Sequence, residues 1–144
     1  MPRASRARTL AAPADRLWAI AGDPHHMVRW WPDVDRVEDV DGNGFTLVAT
    51  TAGGRPVRSD YRIVDSRPGR SLRFAQRLAG TPFQRILAAS EVEIALEPDA
   101  DGATRVTLTI SQRLRGASRL GGFIVAAAGR RRLEAALDGL EAIA

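Results

Sequence analysis

Cysteine and lysine are both absent from this 144-residue chain. Without cysteine there is no disulfide framework, thiol nucleophile or thiolate metal site, so the fold must rest on packing alone. Without lysine there can be no phosphate-binding GxxxxGK loop, and the GxGxxG and GxSxG patterns are missing too. No apolar run approaches the roughly 20 residues that span a bilayer, and Asp15 and Arg16 interrupt the early apolar stretch where a signal peptide needs continuity. These absences predict a cytoplasmic protein with no membrane insertion, and no metal or organic cofactor is called for.

What is present is the composition of an ordinary folded protein: 44% hydrophobic, 26% charged, with 13 Gly and 8 Pro available for turns. The length predicts one domain over residues 1–144, a monomer or homodimer that buries roughly 70% of the surface its unfolded chain exposes. All 21 basic residues are Arg, giving a formal net charge of +4. They are spread along the chain and interleaved with acids, as in "VRSDYRIVD" at 57–65; the one tight cluster is Arg130, Arg131 and Arg132. Such interleaving argues against nucleic acid as the main partner, although outward arginines leave a protein- or RNA-docking module as one reading.

Both histidines and two of the three tryptophans fall in "DPHHMVRWWPDV" at 23–34. Asp23 can cap a short helix, Pro24 suits its first turn, and Pro32 disfavours helix at Trp31. On such a helix His25 and His26 diverge by about 100°, which is poor geometry for sharing one metal ion. Met27, Trp30 and Trp31 recur at i, i+3 and i+4, an apolar stripe that either the core or a ligand must cover. "APADRLWAIAG" before it reads as another short helix after an initial strand, with Pro13 at the start and Gly22 as the stop.

From Asp33 to Arg115 the signals are those of an antiparallel meander of six strands, seven with the first. "DGNG", "AGG", "RPG" and "PDADG" punctuate segments rich in Val, Ile, Thr, Phe and Tyr. "DVDGNG" at 39–44 has the first half of a calcium loop, but its twelfth position is Thr50 and its flanks read as strands, so a hairpin turn is expected. Alternation places Val92, Ile94 and Leu96 inward in "EVEIALE", and Val106, Leu108 and Ile110 inward in "RVTLTISQRL". Continuing that face, Ser59, Tyr61, Gln76, Ser90 and Gln112 also point inward, beside Ile63, Leu72 and Phe74. A close-packed core tolerates few such polar groups, whereas a pocket uses a small number of them to orient a ligand; strand ends reaching water are the other reading. From about Ser118 to Ala144 a long helix is expected, with Phe123, Ala127, Leu133, Leu137 and Leu140 on one face. Gly121 and Gly122 near its start suggest a close approach to the sheet or a ligand passage.

Strand, two short helices, six-stranded meander and long closing helix make an α+β arrangement that resembles the helix-grip fold of the START-like (SRPBCC) superfamily, its bacterial polyketide cyclase/dehydrase-type members most of all. Four stretches carry the likeness: 12–34, with Pro13 and Trp18 in one helix and Asp23, Trp30 and Pro32 around the next; 61–74; 91–116; and the closing helix. The superfamily includes lipid carriers, aromatase/cyclases, plant hormone and allergen proteins and coenzyme Q-binding proteins, so the likeness bears on fold more than on function. It implies a curved seven-stranded antiparallel sheet around the long helix, with a cavity between them for a hydrophobic or aromatic, polyketide-like or lipid-like molecule. Trp30 or Trp31 would then form the rim and Phe74 and Phe123 the walls, with Ser59, Tyr61, Gln76, Ser90 and Gln112 as polar anchors. In a polyketide aromatase/cyclase or dehydratase such a pocket would fold and orient the chain while a Tyr or Arg polarises a carbonyl. Tyr61, the only tyrosine, is the candidate donor.

Overall fold

The computed structural model describes residues 2–144, the side chain of Ala117 excepted. Strand β1 (Arg3–Leu10) leads to helix α1 (Ala14–Ala21), then to a short 3-10 turn (Pro24–His26) that runs into α2 (Met27–Trp30). Six strands follow: β2 (Arg36–Glu38), β3 (Gly44–Thr50), β4 (Pro56–Arg67), β5 (Ser71–Gln76), β6 (Leu87–Pro98) and β7 (Thr104–Leu114). A 3-10 segment (Gly116–Gly121) then enters helix α3 (Gly122–Ile143). The strands form one curved antiparallel sheet in the order β1-β7-β6-β5-β4-β3-β2. The meander therefore runs strand by strand across the sheet, and the first strand closes the far edge against the last.

The alternation seen in the sequence sets the face. Opposed pairs carry the core across the sheet: Ile63 with Phe74, Leu72 with Ile94, Ile94 with Leu108, and Leu96 with Val106. A bulge between Ile63 and Asp65 breaks the pairing of β4 with β5 but leaves Ser66 opposite Leu72, so the register recovers on the same face. Against this face α3 buries Leu133, Ala136, Leu137 and Leu140, and Leu17, Met27 and Trp30 complete the cluster. On the other flank of α3, Arg6 and Arg8 of β1 bind Glu134, and Arg8 also reaches Asp138 and Glu141. These bonds hold the closing helix to the edge strand.

Local chemistry explains the connections. The Asp23 carboxylate accepts the His25 backbone N–H at 3.0 Å and starts the 3-10 turn. Burial opposes ionisation of Asp23, but the His25 side-chain and backbone bonds outweigh it and hold the carboxyl below its ordinary range. In the hairpin between β2 and β3, the Asp41 carboxylate accepts the N–H groups of Asn43 at 2.7 Å and Gly44 at 2.8 Å. The calcium-like spacing there makes a turn.

Two expectations about α3 are corrected. The α-helix begins at Gly122, not Ser118, because Gly116–Gly121 coil into 3-10 geometry. Gly121 and Gly122 do not mark a close approach: a Cβ on Gly121 would meet nothing within 4 Å, and one on Gly122 only the Pro2 ring at 3.4 Å. The close approaches lie further along, where a Cβ on Gly139 would sit 2.5 Å from the Trp30 carbonyl oxygen and one on Gly129 2.9 Å from the Ala4 Cβ. No helix among the described residues is long and apolar enough to cross a membrane.

Candidate functional site

Between the concave face of the sheet and the middle of α3 lies a cavity of about 240 Å³ that opens to the surface. Five inward polar residues line it: Ser59 and Tyr61 from β4, Gln76 from β5, Ser90 from β6 and Gln112 from β7. They converge because the register stacks them, with Tyr61 opposite Gln76 and Ser90 opposite Gln112. Gln112 Nε2 lies 3.4 Å from the Ser90 hydroxyl, a long bond that fixes the amide loosely. Val57, Leu87, Val92 and Ile110 supply the apolar wall, and Ala49 leaves room beside them.

Tyr61 stands in an aromatic trio. Its ring stacks on Phe45 at 5.4 Å between centroids and meets Phe74 edge to face at 5.3 Å. Burial pushes its hydroxyl pKa up from 10.0, with the Arg132 charge and a hydrogen bond from Ser59 pulling the other way. At neutral pH the hydroxyl is therefore protonated and able to donate a hydrogen bond.

The two adjacent tryptophans have different fates, and Pro32 is the reason. Trp31 ends α2 in extended geometry (φ −76°, ψ 131°), as a residue before proline prefers. The Trp30 and Trp31 rings meet edge to face at 5.5 Å. Trp31, 5% exposed and part of the same core cluster as Trp30, also lines the cavity. Trp30, 3% exposed, packs in the core under α3, where its indole N–H has no acceptor among the described residues.

Of the nine residues singled out in the sequence, six come together here: Trp31, Ser59, Tyr61, Gln76, Ser90 and Gln112. Three are placed elsewhere. Trp30 is core; Phe74, 1% exposed, supports the Tyr61 ring from behind; and Phe123, 76% exposed, stands on the outer surface of α3's first turn. Phe123 fails as a wall because the buried stripe of α3 is established only from Leu133 onward. Five lining residues are not among those that the sequence pattern indicates: Ala49, Val57 and Leu87 on the strands, and Phe83 and Arg132. Phe83 comes from a 3-10 turn (Pro82–Arg85) between β5 and β6, where only a connection was legible. Arg132 precedes the buried Leu133 on α3, and its guanidinium carbon lies 5.9 Å from the Trp31 ring centroid. Its place on the flank of the Leu133–Leu137–Leu140 stripe was the available signal.

The histidines are on the surface, outside the cavity. His25 Nδ1 lies 2.8 Å from the Asp23 carboxylate, and His26 Nδ1 lies 3.2 Å from an Arg29 guanidinium nitrogen.

Comparison with solved structures finds the same architecture repeatedly. A START superfamily protein from Mycobacterium smegmatis superposes with a TM-score of 0.77 at 14% identity, over 99% of this chain and 96% of that one. The Zhui aromatase/cyclase from Streptomyces sp. R1128 gives 0.74 at 20% identity, over 97% and 91%. The di-domain aromatase/cyclase BexL of the BE-7585A biosynthetic pathway gives 0.79 at 22% identity, covering 98% of this chain and 45% of that one, so the likeness is to part of BexL. At these identities the likeness is one of fold. A search of curated proteins finds no match. The family described as polyketide cyclase/dehydrase and lipid transport matches residues 1–144, and with its helix-grip fold this chain belongs to that family.

Proposed function

We propose that the protein binds a small hydrophobic or aromatic molecule in the cavity between the sheet and α3. The observation that carries this reading is the lining itself. Trp31, Val57, Phe83 and Leu87 offer an apolar surface, while Ser59, Tyr61, Gln76, Ser90 and Gln112 converge on the same space. Few polar groups on an apolar wall is the composition of a ligand site, because the wall supplies affinity and the polar groups fix orientation. The volume bounds the guest. About 240 Å³ exceeds the ~150 Å³ cavity that accommodates benzene. One or two rings, or a short branched chain, match that space; a long polyketide or a two-chain lipid could engage it only by one end. Titrating the protein with single- and double-ring aromatics while following tryptophan fluorescence tests the reading: a saturable change that disappears in Trp31→Phe would reflect a ligand beside Trp31. No saturable binding in calorimetry across such a series would refute it.

A specific observation also favours a catalytic reading, a cyclase- or dehydratase-type activity. The Tyr61 hydroxyl is held protonated by burial, with a guanidinium nearby, so it could polarise a carbonyl and support charge developing on its oxygen. Tyr61→Phe separates the two readings: a binder keeps affinity to within about threefold, whereas an enzyme loses turnover by about 10²-fold or more while still binding, as expected for one general acid.

A further inference from the structure

The cavity mouth carries a positive charge that nothing nearby neutralises. Arg132 makes no hydrogen bond or ion pair among the described residues; its guanidinium lies over the Trp31 ring. The other elements around it offer no counter-ion. The three carboxylates of α3, those of Glu134, Asp138 and Glu141, are engaged by Arg6 and Arg8 of β1. Across the cavity the sheet contributes hydroxyls and amides, from Ser59, Tyr61, Gln76, Ser90 and Gln112, and no acid lines the space. The alternation that turns those groups inward turns Asp60 and Glu93 outward, where both are exposed. The next positions on α3, Arg130 and Arg131, add positive potential of the same sign.

A guanidinium presents a planar fork of donors that matches the two oxygens of a carboxylate, and a phenol or primary amide can donate to the same oxygens. Beneath these donors lies an apolar wall of limited depth. We propose that the ligand is a small monocarboxylate, aromatic or branched in its apolar part, whose carboxylate is held by Arg132 at the mouth while its body fills the space against Val57, Leu87, Val92 and Ile110. Arg132 is then the specificity-determining residue, selecting charged acids over neutral molecules of the same shape. That the Arg132 charge is felt at the Tyr61 hydroxyl is consistent with the two acting on one end of a guest. This inference rests on the cavity being a ligand site.

The test keeps shape constant and changes charge. Benzoate, cinnamate and 2-naphthoate are each compared with their primary amides by isothermal titration calorimetry, on the unaltered protein and on Arg132→Gln and Arg132→Lys, with circular dichroism confirming the fold. The expected result is that at least one acid binds about tenfold or more tightly than its amide, that Arg132→Gln abolishes this preference by weakening the acid more than the amide, and that Arg132→Lys retains part of it. Equal affinity for acid and amide, or a preference that survives Arg132→Gln, would overturn the assignment of the carboxylate while leaving the cavity a binding site. Failure of both series to bind would overturn the ligand-site reading together with this inference.

Discussion

Tyr61 is the residue whose chemistry reports most cleanly, because it is the only tyrosine in the chain and its ultraviolet titration is unambiguous. Burial raises its pKa and the Arg132 charge lowers it. The midpoint of tyrosinate formation in the folded protein should therefore lie above 10, and Arg132→Gln should move it higher still. A midpoint unmoved by Arg132→Gln would mean that the guanidinium does not act on the hydroxyl. The linkage to stability follows in sign. The folded-state pKa exceeds the unfolded value, so this contribution to stability is intact below pH 10 and declines as pH rises toward the folded-state value. Asp23 behaves oppositely. Its pKa is depressed by its His25 bonds, so the stability it contributes is present above the unfolded carboxyl range and is lost as pH falls through the folded-state value. Asn caps as well as Asp, so Asp23→Asn should keep neutral-pH stability to within about 0.5 kcal/mol while flattening this part of the acid limb in urea melts. The inward polar set was legible at this scale because period-two alternation is insensitive to everything but register, and the bulges between Ile63 and Asp65 and between Leu87 and Ala89 leave Tyr61 opposite Gln76 and Ser90 opposite Gln112. The separate fates of Trp30 and Trp31 were not, since a stripe at helical spacing does not reveal that the residue before Pro32 leaves the helix.

At the scale of elements, the packing of α3 on α2 depends on a missing side chain. A Cβ at Gly139 would press on backbone of Trp30, which cannot rotate away as a side-chain tip could. Gly139→Ala should therefore destabilise the protein by about 1–3 kcal/mol in denaturant unfolding, the usual cost of forcing atoms into a packed contact. Gly121→Ala should be neutral or stabilise by up to about 1 kcal/mol, since its φ of −92° suits alanine and the space beside it is open. The opposite ordering would contradict the placement of α3. The sequence attracted attention to Gly121 and Gly122 because glycine near a helix start is conspicuous. Gly129 and Gly139 were overlooked because the pressure on a helical glycine comes from elements distant in the chain. Strand number, order of elements and the two short helices were all legible from turns and periodicity. The start of α3 was not, because 3-10 and α segments share their first-turn preferences.

For the whole molecule, the curved sheet and closing helix do more than bury a core. From Leu133 to Leu140 the helix buries its stripe against the core, while beside Arg132 a cavity remains, lined by residues of β3 to β7 together with Trp31, Phe83 and Arg132. One-dimensional patterning identified what faces inward and could not establish where the two layers separate, which is why Phe74 and Phe123 were expected as walls and Arg132 was read only as one of an arginine cluster. The family and fold fix this architecture, whereas the size and lining of the cavity belong to this chain.

The central claim is that this space, and not the surface around it, holds the ligand. The most direct measurement fills it. Ala49 lines the cavity from β3, opposite Val57, so Ala49→Phe would occupy much of the 240 Å³. In calorimetric titration with the acid that the unaltered protein binds most tightly, a folded Ala49→Phe should lose affinity by about 10²-fold or more. Undiminished affinity in that folded variant would place the ligand elsewhere and contradict the account.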